Sequence, residues 1–157
     1  VPAAPPDRDR YRALKNAAQL TLWPTPAAQA AALNHLRVLL EPLVQREGLT
    51  AAFVVRPGLR LRRTYGRCTY RDGATVIHVR CTADHDPSAW RPVGSITGTL
   101  LHELAHLRYR SHGPRFWALY RRLVNRAEAA GLYDPRDRDP AERPRGERKL
   151  MRGQRGL

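Results

Sequence analysis

Residues 102–117 read HELAHLRYRSHGPRFW, and they restrict the fold more than any other part of the chain. On a helix turning about 100° per residue, His106 lies about 40° from His102, so both rings leave one face and can grip one ion. Glu103 follows at about 100°. Ile96, Leu100, Leu104 and Leu107 gather at about 120° to 200°, on the opposite side. The segment therefore calls for a helix that is apolar behind and ligating in front.

His112 cannot join from a straight continuation, because ten residues carry it about 80° away and more than a turn past His106. The chain must break first. Ser111-His112-Gly113-Pro114 suits a break, since Gly permits a tight turn and Pro both restricts its predecessor and opens a new helix. A bend there swings His112 back toward the ion. Three nitrogen ligands and one position open to water is the arrangement of catalytic zinc sites, whereas structural sites are closed by four protein ligands and have no use for a neighbouring glutamate.

The rest of the chain supplies a scaffold of matching size. With 157 residues, 42% of them apolar and 27% charged, one folded domain is expected. Tyr11, Leu14 and Ala18 share one side of a short N-terminal helix. Thr25 as cap and Pro26 at the first position open a longer helix running to Arg46, with Ala28, Ala32, Leu36, Leu39, Leu40 and Leu43 at helical spacing, Pro42 expected to kink or shorten it, and Gly48 closing it.

Three strands are then expected, in AAFVV, LRLRRTYGRCTY and ATVIHVRC, separated by turns at Arg56-Pro57-Gly58 and Arg71-Asp72-Gly73. In the last strand Thr75, Ile77 and Val79 face the core, while Val76, His78 and Arg80 face away. With Asp72-Gly73 as a two-residue turn, Cys68 lies opposite Ile77 and Cys81 opposite Thr64, so the thiols do not meet. A zinc ribbon lacks ligands.

After a loop of turn formers, including Asp84, His85 and Asp86, the ligating helix spans Ser95 or Ile96 to Tyr109 or Arg110. A last helix spans Pro114 to Ala130, with Phe116, Tyr120, Leu123 and Ala127 as its buried stripe and Gly131 as its stop. The expected organisation is a partly loose segment at 1–24, a domain at 25–133, and a disordered charged tail at 134–157. The fold class is α+β: a small zincin-like domain with a three-stranded, largely antiparallel sheet.

A net charge of +14 and a pI near 11.2 favour polyanionic partners. Arg60, Arg62, Arg63 and Arg67, interleaved with Tyr65 and Tyr70, are candidate contacts to nucleic acid, single-stranded DNA included. A solvated basic face is the plain alternative. The chain has no uninterrupted run of 18 apolar residues and its N-terminal stretch lacks an apolar signal, which leads us to expect a cytoplasmic protein without membrane contact.

The stretch HELAHLRYRSHGPRFWALYRRL resembles the active-site segment of the SprT-like and YgjP-like zinc metallopeptidases, small minigluzincin-type domains. YGRCTYRDGATVIHVRC is similar to the hairpin that precedes their site. The resemblance covers roughly residues 30–133 in order of elements, and 102–117 specifically. It implies a metallopeptidase with Zn²⁺ on His102, His106 and His112, Glu103 as general base, and protein or peptide substrates.

The C-terminal zinc ribbon of many SprT-like members is missing, which favours the shorter YgjP-like group and weakens transfer of a DNA-repair role. Metzincins share the histidine spacing, but Tyr109 stands at their glycine and there is no Met-turn. Glu128 is the rival third ligand, as the only acid of the helix from Pro114. Tyr109, Arg115 and Tyr120 are candidate contacts to substrate or transition state, with ATVIHVRC, including His78, as the strand that holds an extended substrate. The opposing reading is a zinc-stabilised nucleic-acid binder that hydrolyses nothing.

Overall fold

The computed structural model describes residues 7–18 and 23–142. In chain order they form α1 (Arg8–Ala18), α2 (Pro26–Arg46), β1 (Phe53–Pro57), β2 (Gly66–Arg71), β3 (Ala74–Val79), α3 (Val93–Ala105) and α4 (Pro114–Ala129), with a 3₁₀ turn at Pro140–Glu142. The α+β class expected from sequence is the class observed.

The Thr25 hydroxyl accepts a hydrogen bond from the Ala28 N–H at 3.1 Å and opens α2 with Pro26 in its first turn. Leu33, Leu36, Leu40, Leu43 and Val44 form the buried stripe. As expected, α2 reaches Arg46, and Pro42 inside it does not shorten it. Proline removes the hydrogen bond to the carbonyl four residues back, which belongs to Val38, and Val38 is exposed to water that can satisfy it.

The strands pair in the order β1-β3-β2, so β3 is central and β2 is an edge. β2 and β3 are antiparallel and joined by Asp72 (φ 50°) and Gly73 (φ 75°), the left-handed pair of a two-residue hairpin turn, which sets Arg71 opposite Ala74 and Cys68 opposite Ile77. β1 and β3 are parallel. The sheet is thus evenly mixed rather than largely antiparallel.

The expected strand over 59–70 begins only at Gly66, where β3 runs out of partners. The ladder ends at Gly66 opposite Val79, and residues 59–65 form turns, closed by the Gly58 N–H on the Val79 carbonyl and the Arg80 N–H on the Tyr65 carbonyl, both 2.8 Å. Thr64 and Cys81 therefore lie outside the pairing, and both cysteines are free.

One face of the sheet carries the core. Ile77 and Val79 pack with Ile96, Leu100, Leu101 and Leu104 of α3 and with Phe116, Leu119, Leu123 and Ala127 of α4. Each fully buried aliphatic side chain contributes about 1.5–3 kcal/mol. On the opposite face, Arg56 of β1, His78 of β3 and Arg67 of β2 stand side by side in register.

Residues 134–142, expected to belong to a disordered tail, are folded onto the domain by polar contacts. Asp137 accepts from the Tyr11 hydroxyl at 2.6 Å, from the Lys15 ammonium at 3.1 Å and from the Gly94 N–H at 3.2 Å, tying α1 to the start of α3. Glu142 pairs with the buried Arg91 guanidinium at 2.9 and 3.0 Å. Residues 143–157, and Met151 with them, lie outside the described residues. No helix among those described is long and apolar enough to cross a membrane.

Candidate active site

The ligating helix ends earlier than its sequence pattern implies. α3 stops at Ala105 with His106 as its cap, and α4 starts at Pro114 after an extended Gly113. Within that gap the chain turns back, and His112 meets the other two histidines. Its Nε2 lies 3.0 Å from Nε2 of His102 and 3.1 Å from Nε2 of His106. Four tetrahedral ligands at zinc–nitrogen distances would stand about 3.3 Å apart. The three nitrogens are thus close to the spacing one small cation needs, and among the described residues they form the cluster able to hold a metal.

The chemistry of the donors fits a metal as well as their spacing does. Burial, followed by the neighbouring His106 and His112, pushes His102 down to about 3, and burial also lowers His106. Both rings are neutral near pH 7, the form that ligates. Nδ1 of His106 is 2.9 Å from the Tyr109 carbonyl. A carbonyl only accepts, so that nitrogen carries the hydrogen and leaves Nε2 with its lone pair. Phe116 lies 4.5–4.9 Å from all three rings by centroid, and Trp117 stacks on His112.

Glu103 faces β2 and is 5% exposed. Burial pushes its carboxyl up to about 7, toward the range useful for a general base. Gly66 explains how it fits. A Cβ at that position would stand 2.7 Å from Glu103 Oε1 and 2.7 Å from Thr99 Cγ2. Gly66→Ala is accordingly expected to cost about 1–3 kcal/mol in urea unfolding and to displace the carboxylate. Unchanged stability would show that the contact relaxes freely.

The other predicted residues disperse. Glu128 borders a separate cavity with Asp7, Arg8, Tyr11, Tyr133 and Asp134, away from the histidines. His78 lies on the far face of the sheet between Arg56 and Arg67, where burial and those two charges lower its pKa. Tyr120 is at the site, its ring 5.6 Å from His102, whereas Tyr109 contributes its carbonyl and Arg115 is exposed at the start of α4.

Arg60, Arg62 and Arg63 sit in the turns before β2 and share no strand face, and Arg67 alone is on the sheet. Neither of the tyrosines interleaved with them is free. Tyr65 lies between the Arg80 and Arg91 guanidinia at 4.5 and 4.4 Å and donates to Asp84, while Tyr70 donates to the His106 carbonyl with Arg110 over its ring. The strand expected to hold substrate, β3, is central and already paired on both sides. Sequence reasoning missed Gly66 and placed Tyr70 with the basic surface rather than against the end of α3, since both contacts depend on β2 lying along that helix.

A three-stranded sheet carrying an HExxH helix, with a third histidine returned by a Gly-Pro break, defines a small zincin-like α+β domain. The chain matches the WLM domain model over residues 12–148 and belongs to that family. This replaces the SprT-like and YgjP-like names suggested by residues 102–117, which denote a related and coarser kind.

Its fold is similar to that of Wss1 from Saccharomyces cerevisiae, at 19% identity and a TM-score of 0.54, over 86% of this chain and 87% of that one. A mutant of Wss1 from the same organism gives 22% identity and a TM-score of 0.56 over 71% and 89%. No curated protein matches.

Proposed function

We propose that the chain is a zinc-dependent metallopeptidase, with His102, His106 and His112 as ligands and Glu103 as general base, acting on proteins associated with nucleic acid. The observation that carries the reading is the convergence of three imidazole Nε2 atoms beside a buried carboxyl group raised to about 7. Membership of the WLM domain family supports it.

Zinc, when bound, supplies Lewis-acid polarisation and acidifies water. Glu103 then takes the proton of the attacking water and returns it to the leaving amine nitrogen. Tyr120, beside His102, is a candidate donor to the developing oxyanion. The free edge beside α3 belongs to β2, and an extended peptide would pair there. For the nucleic-acid part, support comes from the charge of +14 and from the row of Arg56, His78 and Arg67, with Arg71 further along β2, on the open sheet face.

The test is zinc content together with cleavage of an unfolded protein, with and without single-stranded DNA. About one zinc per chain is expected, with cleavage lost on chelation and restored by zinc, and DNA binding that weakens as salt rises. Zinc without cleavage would favour the binding-only reading. Metal-free protein with all three histidines intact would overturn both.

A further inference from the structure

We infer that Tyr70 is a positioning residue for the metal centre, holding the break that returns the third ligand; this rests on the metal-site reading above. β2 turns Gly66, Cys68 and Tyr70 to one side, toward α3. Gly66 meets Glu103, and four residues further on the Tyr70 hydroxyl donates to the His106 carbonyl at 2.5 Å.

That carbonyl belongs to the cap residue of α3, where the last carbonyls of a helix lose their partners one turn on. Left without a partner in a part-buried setting, it would favour continuation of the helix through Arg110. A continued helix carries His112 away from His102 and His106. The Tyr109 N–H still bonds the Ala105 carbonyl at 3.2 Å, and Tyr70 supplies from a different element the donor that Arg110 would otherwise provide, so the chain can leave the helix at Arg110. The Tyr109 carbonyl is then free to accept from Nδ1 of His106. Arg110 closes the arrangement, with its guanidinium 4.3 Å from the centre of the Tyr70 ring.

The same few residues therefore connect the edge strand, the orientation of His106 and the return of His112. Tyr70 touches neither ion nor substrate in this scheme. Its effect passes through the backbone of one ligand to the placement of another.

The experiment is zinc affinity by competition with a chromophoric chelator, for wild type, Tyr70→Phe, His112→Ala and the double variant. Tyr70→Phe keeps the ring against Arg110 and removes only the hydroxyl. Loss of a partner that orients a ligand typically weakens metal binding about 10- to 100-fold, and that is the expected result. In the His112→Ala background the same change should matter by no more than about a factor of two, because the ligand it serves is gone.

Visible spectra of the Co²⁺-loaded proteins supply a second readout. Tyr70→Phe is expected to shift the Co²⁺ bands toward those of His112→Ala. Equal zinc affinity and an unchanged Co²⁺ spectrum in Tyr70→Phe would overturn the inference, as would an equal loss in both backgrounds. Failure of the wild type itself to bind zinc would instead remove the metal-site reading.

Discussion

Glu103→Gln is expected to retain zinc and lose cleavage by roughly 10²- to 10⁴-fold, the contribution of a positioned acid–base group. The substitution keeps the size of the side chain, so the close approach of Gly66 persists. What it removes is the ability to accept a proton. Since the carboxyl is raised by burial and no charged partner contributes to its shift, the site holds a group poised to exchange a proton near neutrality. The assay is turnover of an unfolded protein alongside zinc stoichiometry and urea unfolding. Full turnover in the variant would eliminate Glu103 as the base, and loss of zinc with turnover would point to a fault in the fold.

Glu142→Ala is expected to lower stability by about 3–5 kcal/mol, because it strands a buried charge. Arg91 and Glu142 are 2% and 3% exposed, and the guanidinium also donates to the Arg80 carbonyl at 2.6 Å and to the Thr99 hydroxyl at 3.0 Å. Thr99 and Glu103 both lie against Gly66. Losing the carboxylate should therefore loosen both the segment after α4 and the wall behind the site. Glu142→Gln, which keeps an acceptor oxygen without the charge, should fall between wild type and Glu142→Ala in the midpoint of urea unfolding. A change below about 1 kcal/mol in Glu142→Ala, the level of a surface pair, would mean that solvent reaches Arg91.

That ion pair also marks where the sequence was hard to read. Residues 134–142 have no apolar period, and periodicity is the signal from which elements are read. Their attachment depends on Asp137 and Glu142 finding Tyr11, Lys15 and Arg91, partners scattered over the chain. No local pattern announces that. The helices of the site were legible for the opposite reason. Phe116, Tyr120, Leu123 and Ala127 repeat at helical spacing, and Gly113-Pro114 and Gly131 (φ 73°) punctuate the chain where they stand.

In the sheet, the Asp72-Gly73 turn determines which residues of β2 and β3 face each other, so that pairing could be read in advance. Nothing local states which side of β3 will take β1, or in which direction, because that depends on a parallel pairing made across more than twenty residues. The alternation Leu-Arg-Leu-Arg at 59–62 looks like a strand but finds no partner to pair with. Which strand forms the edge beside α3, and with it the relation of Gly66 and Tyr70 to that helix, follows from this pairing and from no local pattern. The histidines were the easier part, since two share a helix face and the third follows a visible break.

The tight turn between β2 and β3 bears on how a newly made chain matures. Hairpins of this kind zip in about 1–10 μs, needing only neighbours in sequence. Tyr70 must then find a partner 36 residues away, Arg91 one 51 away and Tyr11 one 126 away. Contacts at such separations close slowly, after the entropy of long loops has been overcome. The hairpin is accordingly expected to close before Tyr70 reaches the end of α3, so the strand is in place before the helix end it supports.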